Sequence, residues 1–147
     1  MKAVIPDVRS AWRQNWLGSL QELADFNLQK RAWLNPNNTN PHYSYVEYVA
    51  CYFDDLRLAS RDSYSGVVDE GLLTPAEASA AAEFHARFDA YVDLRHSDPE
   101  VILADPKWLE VVEAARAAQA RLLVLLDDDA EKAILTRRSP YAISAAS

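Results

Sequence analysis

The residues with most chemistry to offer crowd into one stretch: His42-Tyr43-Ser44-Tyr45-Val46-Glu47-Tyr48-Val49-Ala50-Cys51-Tyr52-Phe53-Asp54-Asp55. Four of the chain's seven tyrosines lie here, with three carboxylates and the single cysteine. Aromatic side chains gathered at a helix start are a common way to make a partner surface. On a helical wheel Tyr45 borders the apolar side, while Tyr48 and Tyr52 sit progressively off it beside Asp55. Packing under neighbouring helices with wet hydroxyls accounts for Tyr45 and for Tyr52, but less well for Tyr43 and Tyr48. Glu47 and Asp54 are seven apart and share a helical edge, with Asp55 on the opposite shoulder. Acids so placed can hold a divalent ion or anchor a basic partner. The expected partner-binding set is Tyr43, Glu47, Tyr48, Tyr52, Asp54 and Asp55.

Other constellations are thinner. Arg13, Asn27 and Arg31 fall inside the otherwise apolar stripe of the first helix, where polar groups need partners. They are expected to form a structural polar network joining the first two helices, with Asp54 or Asp55 meeting Arg13, Lys30 or Arg31. His85, Asp89 and His96 share one face of the third helix and are ligand types for zinc or iron. However, no Glu-x-x-His of the di-iron kind occurs, and Asp93-x-x-His96 is the nearest approach. His85 sits off the aromatic stripe, where an ordinary solvated histidine belongs. The expectation is no metal and no cofactor, with Glu47, Asp54, His85, Asp89 and His96 as the alternative ligand set. Cys51 lies mid-helix among acids, without a histidine at helical spacing, and reads as a half-buried thiol rather than a nucleophile. No Walker loop, Gly-x-Ser-x-Gly or His-Glu-x-x-His occurs, nor the basic–aromatic interleaving that suits nucleic acid.

The elements that must position these residues all carry helical signals. The first helix is expected from Asp7 or Val8 to Leu34, burying Trp12, Trp16, Leu20, Leu23 and Leu34 in a stripe flanked by Leu17, Ala24 and Leu28. At about 40 Å it must span the molecule, kink or protrude, since the whole domain has a radius of gyration near 15 Å. Asn35-Pro36 stops it. Ser44-Tyr45-Val46-Glu47 is a capping-box pattern and opens a second helix to Ala59 or Ser60, burying Val46, Val49, Ala50, Phe53 and Leu56. Thr74-Pro75-Ala76-Glu77 is the strongest local signal and starts a third helix to Arg95, with Phe84, Phe88, Tyr91 and Val92 inward. Asp98-Pro99 and Asp105-Pro106 announce a short helix at 99–104 and a long one at 106–126. The last turn of the long helix, Leu122 to Leu126, is apolar nearly all round and should be covered by another element. Asp127-Asp128-Asp129 caps a short helix at 129–137. No stretch alternates with period two and no internal repeat appears. The fold class expected is all-α: one domain at 1–138, a bundle of about four main helices plus short helices, and a flexible tail at 139–147.

Composition limits what such a bundle can do. The chain has 147 residues, 50% hydrophobic and 25% charged, with three glycines. That length suits one domain with a core needing no disulfide or structural metal. The net charge of −7 sets generic nucleic-acid and anionic-membrane binding at a disadvantage. Residues 35–74 carry two basic and six acidic groups, and residues 75–104 the same, so the middle of the chain holds the excess. A lone cysteine, and an N-terminus without an apolar core segment, lead us to expect a cytoplasmic protein. Together these features point away from an enzyme and towards a protein-interaction module that captures a basic partner. In composition, not in motif, it has the character of an acidic inhibitor such as the immunity proteins that block nuclease toxins. A metal- or small-ligand-binding bundle and a homodimer through the tyrosine-rich face are the alternatives.

Overall fold

The computed structural model describes residues 6–38, 44–58, 64–92 and 98–137. Tyr43, Asp93, His96 and the 139–147 tail lie outside the described residues. Among those described there is no strand, as the missing period-two pattern implies. The helices are α1 (Pro6–Ala24), α2 (Phe26–Trp33), α3 (Tyr45–Val49), a π-helical segment (Ala50–Asp55), α4 (Ser65–Asp69), α5 (Pro75–Val92), α6 (Pro99–Ala104), α7 (Pro106–Leu125) and α8 (Asp129–Thr136). Helix α7 is the hub: α5 and α1 pack along it, and α8 returns across α1. None of these helices is long and apolar enough to cross a membrane.

The expected 8–34 helix is broken at Asp25, the kink its length demanded. Asp25 leaves the helical conformation (φ −99°, ψ 82°) and its carboxylate caps α2 by accepting from the Leu28 amide. A break leaves orphan carbonyls at the end of α1, and these need donors. The Gln29 amide, fully buried, donates to the carbonyls of Glu22 and Leu23 at 3.0 Å each. Arg116 on α7 donates to Ala24 O. The Gln29 side-chain oxygen then accepts from the Trp108 indole at 2.9 Å, so the corner is tied to the hub. Beyond this corner the straight-helix register no longer applies. Asn27, Arg31 and Leu34, which a continuous helix would bury, are exposed.

The capping predictions at the other helix starts hold. Thr74 and Glu77 exchange both bonds of a capping box, at 3.1 and 2.9 Å. Asp98, Asp105 and Asp128 each accept from the first turn of the helix they precede. The core is strongly aromatic. Trp108 touches Trp33, Tyr45, Phe88 and Tyr91 with ring centroids 5.3–5.9 Å apart, spacings at which edge and offset contacts add to simple burial. One expectation is met only in part here. The last turn of α7 is covered only in part: Leu122 and Leu126 are buried, whereas Leu123, Val124 and Leu125 are exposed, Val124 by 85%.

Candidate functional site

Ser44 starts the chemistry-rich segment, its hydroxyl accepting from the Glu47 amide at 3.2 Å. After one α-turn the backbone widens into the π-helix, which closes on i+5 and therefore rotates less per residue than an α-helix. That widening decides which side chains face inward. A regular α-helix would carry Phe53 round above Val46, seven residues earlier, and bury the valine side. The wider turn instead brings Phe53 to the face that Tyr45, Tyr48, Tyr52 and Leu56 share, all of them buried. Val46 is turned out, 60% exposed.

The proposed partner-binding residues are accordingly divided. Tyr48, 4% exposed, and Tyr52, fully buried, cannot meet a partner; both are core residues, which corrects that part of the sequence reading. Tyr48 packs edge-on to Trp33. Asp54 and Asp55 are exposed and Glu47 is half-buried, so the carboxylates remain available. Cys51, also half-buried, registers their field. Burial first, then the charges of Asp55, Glu47 and Glu22, push its thiol up to about 11, the opposite of what a nucleophilic cysteine needs.

Tyr52 enters a buried hydrogen-bonded chain that links three elements and the loop before α4. The Trp16 indole on α1 donates to the Tyr64 hydroxyl at 3.3 Å. Tyr64 and Tyr52 share a hydroxyl–hydroxyl bond, and Tyr52 meets Nδ1 of His85 on α5 at 2.8 Å. An indole can only donate, so the Trp16–Tyr64 bond runs towards the phenol, while each hydroxyl beyond it can both donate and accept and so keeps the chain to His85 continuous in either sense. Burial pushes both tyrosine hydroxyls well above their ordinary range. His85 is fully buried, not a solvated histidine as its wheel position suggests. Its spacing from the aromatic stripe mattered less than the phenol it could reach.

Arg13 is the second surprise. It is buried, as the stripe requires, but its partners are neither Asp54 nor Asp55. Nη1 and Nη2 form a fork with the Glu77 carboxylate at 2.8 and 2.6 Å. Nε and Nη2 reach Glu131 at 2.8 and 3.1 Å, and Nη1 also donates to Leu72 O. The network therefore joins α1, α5 and α8 rather than the first two helices. Bonding to Glu77 outweighs burial and holds the Arg13 guanidinium charged far into alkali. Burial alone would raise the Glu77 carboxyl, but the donors Arg13 and Thr74 hold it below its usual range. Glu77 thus caps α5 and neutralises Arg13 at once. The sequence signalled only the cap; the unpaired arginine in an apolar stripe was the available hint of the rest. This cluster forms the floor of a half-open cleft of about 610 Å³, which Arg9, Thr74, Leu125, Leu126, Asp127 and Asp128 help to line.

The described members of the alternative metal set, Glu47, Asp54, His85 and Asp89, do not converge. No three His, Cys, Asp or Glu side chains among the described residues are placed to share an ion, and Nδ1 of His85 is held by Tyr52. Comparison of the chain with protein-family models, characterised proteins and solved structures finds no match.

Proposed function

We propose that the chain is a non-catalytic interaction module that captures a basic partner protein through Glu47, Asp54 and Asp55, in the manner of a small acidic inhibitor. One observation carries the reading: two adjacent carboxylates stand in solvent on a segment immobilised from its inner side by Tyr48, Tyr52, Phe53 and Leu56. A fixed pair of charges loses little side-chain freedom when a partner arrives, and it steers a cationic surface from a distance of about a Debye length. After burial, which is the larger cause, the charges of Asp55 and Glu47 raise the Cys51 thiol beside them. The buried tyrosine–histidine chain adds no rival catalytic reading, because none of its members lines the cleft. The lone cysteine suits a reducing compartment, and the cytoplasm is part of this proposal.

The test compares the wild-type chain with Asp54→Asn/Asp55→Asn. Both immobilised proteins capture ligands from native lysate, and the association rate of the recovered protein is followed from low to high salt. A basic protein whose on-rate falls steeply with salt, and at least several-fold in the double variant, supports the reading. An on-rate indifferent to both removes it.

A further inference from the structure

Where α7 gives way to α8, apolar and acidic groups meet at the mouth of the cleft. Its 610 Å³ falls in the range of cavities that accept small ligands, and so leaves ample room for one long side chain. The Arg13 cluster on the floor offers nothing to an anion, and Arg9, whose Nε donates to Gly71 O, is outnumbered by the carboxylates beside it. Arg13 spends its donors on Glu77, Glu131 and Leu72 O. The lining residues include two arginines and four carboxylates (Glu77, Asp127, Asp128, Glu131), which leaves a formal −2. Asp127 and Asp128 are exposed. Immediately before them Leu123, Val124 and Leu125 are exposed on the last turn of α7, the turn whose composition called for a cover.

A cation with apolar neighbours answers both needs, and neither need alone selects it. We propose that the cleft receives a lysine or arginine side chain of a partner protein segment, whose flanking apolar residues cover Leu123, Val124 and Leu125. The methylene stem of such a side chain lies along Leu125 and Leu126 while its head reaches the Asp127 and Glu131 carboxylates. The ion cluster fixes the cleft floor before the partner arrives, so little ordering is left for the binding step. An anionic bilayer would set its headgroups against Asp127, Asp128 and Asp129, so the apolar turn is not a membrane contact. The site shares no residue with Glu47, Asp54 and Asp55 and stands or falls without them.

The experiment titrates the isotope-labelled full chain with the peptide acetyl-Leu-Arg-Leu-amide and follows its backbone amide resonances. Saturable shifts are expected at Thr74 and across residues 123–131. Binding should weaken roughly tenfold for acetyl-Gly-Arg-Gly-amide and for acetyl-Leu-Gln-Leu-amide, which each lack one half of the match. Asp127→Asn should weaken the first peptide about threefold, and Val124→Ser by a similar factor or more. Both residues are exposed, and an unchanged thermal midpoint verifies that folding is intact. Absence of saturable shifts overturns the inference. So do shifts confined to residues 47–55, which would leave the reading of the Asp54–Asp55 surface standing. Concentration-dependent dimerisation abolished by Val124→Ser also overturns it, because the apolar turn would then belong to a second copy.

Discussion

Arg13 and Trp16 lie one turn apart on α1, and each opens a polar path from α1 to α5. Arg13 reaches Glu77 directly, whereas Trp16 reaches His85 through two tyrosines. The first path is charged and sits at the rim of the bundle, where the Glu131 side chain is still 15% exposed. The second has no carboxylate or guanidinium, and no member of it is more than 2% exposed. The contrast follows from desolvation. Sealing an ion pair inside costs several kcal/mol per charge unless geometry and hydrogen bonds are nearly complete, whereas a hydroxyl needs only one good partner. Charge therefore stays where water can still reach the outer carboxylate, and phenols and imidazole occupy the centre.

Removing one end of each path should cost different amounts, the charged one more. Glu77→Gln strips Arg13 of its closest counter-charge and weakens the α5 cap. A loss of about 3–5 kcal/mol in chemical denaturation is expected, a large share of the stability of an ordinary domain. In a double-mutant cycle with Arg13→Met, the two losses should fall well short of additive. The acid side offers an independent check. The folded Glu77 carboxyl titrates below the unfolded one. Its contribution is therefore complete above the unfolded value near pH 4.3 and disappears as pH falls through the folded value. Wild-type stability should decline through that window, and Glu77→Gln should lose part of the slope. Additive losses with an unchanged slope would mean that the cluster is not acting as paired charge.

The second path should break more gently. Tyr52→Phe removes the hydroxyl shared by Tyr64 and His85 and leaves shape intact, at about 1–3 kcal/mol. Tyr45→Phe, in the same segment, is the control and should cost less. Here the pH dependence has the opposite sense. The phenols of Tyr52 and Tyr64 are held neutral by burial, so their folded values lie above the unfolded value near pH 10. Stability is untouched below that pH and falls above it, as the unfolded chain loses protons that the folded one keeps. Tyr52→Phe should reduce the alkaline slope by about 1.4 kcal/mol per pH unit, one proton's worth. An equal slope in both proteins would place the Tyr52 hydroxyl in contact with solvent.

Helix starts were the legible part of this fold, because cap-then-proline signals are local and Thr74-Pro75-Ala76-Glu77 states its geometry within four residues. The stripe of α1 was legible for the same reason. Partner identity was not. Glu77 and Glu131 lie 64 and 118 residues from Arg13, and nothing in helical periodicity distinguishes them from Asp54 or Asp55. The reading of Tyr48, Tyr52 and Val46 failed because the wheel centred the buried side on Val46 and Phe53, and the π-helix carries Phe53 over to the face that Tyr45, Tyr48 and Tyr52 share at helical spacing. Asp54 and Asp55, read both as a partner surface and as partners for Arg13, Lys30 or Arg31, stand exposed, because strongly hydrated carboxylates avoid burial in either register. His85 shows the reverse error. Its distance from the apolar stripe suggested solvent, but a phenol supplied from another element made burial inexpensive.

The smallest effects belong to two turns of the same design, each feeding one of the two paths. The π-segment ends with Leu58 N bonded to Phe53 O and Arg57 N to Asp54 O; α4 ends with Leu72 N bonded to Val67 O and Gly71 N to Val68 O. Both are helix endings of the Schellman type, which require a left-handed residue. Gly71 meets this at φ 81° without penalty, whereas Arg57 adopts φ 58° against its own Cβ. Arg57→Gly should therefore stabilise the chain by about 0.5 kcal/mol, the relief of strain being partly offset by a freer unfolded chain. Gly71→Ala should destabilise by about 1 kcal/mol through the backbone alone, since the space around it is open. The two turns also differ in what they hold. Gly71 O and Leu72 O accept from Arg9 and Arg13, so a shifted α4 turn disturbs the charged path, whereas the Arg57 turn ends the segment that supplies Tyr52. Gly71→Ala should thus cost less in the Glu77→Gln background than in wild type, and Arg57→Gly should be additive with it. Equal additivity for both would show that the charged path tolerates movement of its carbonyls, and the distinction between a rigid rim and a sealed centre would not hold.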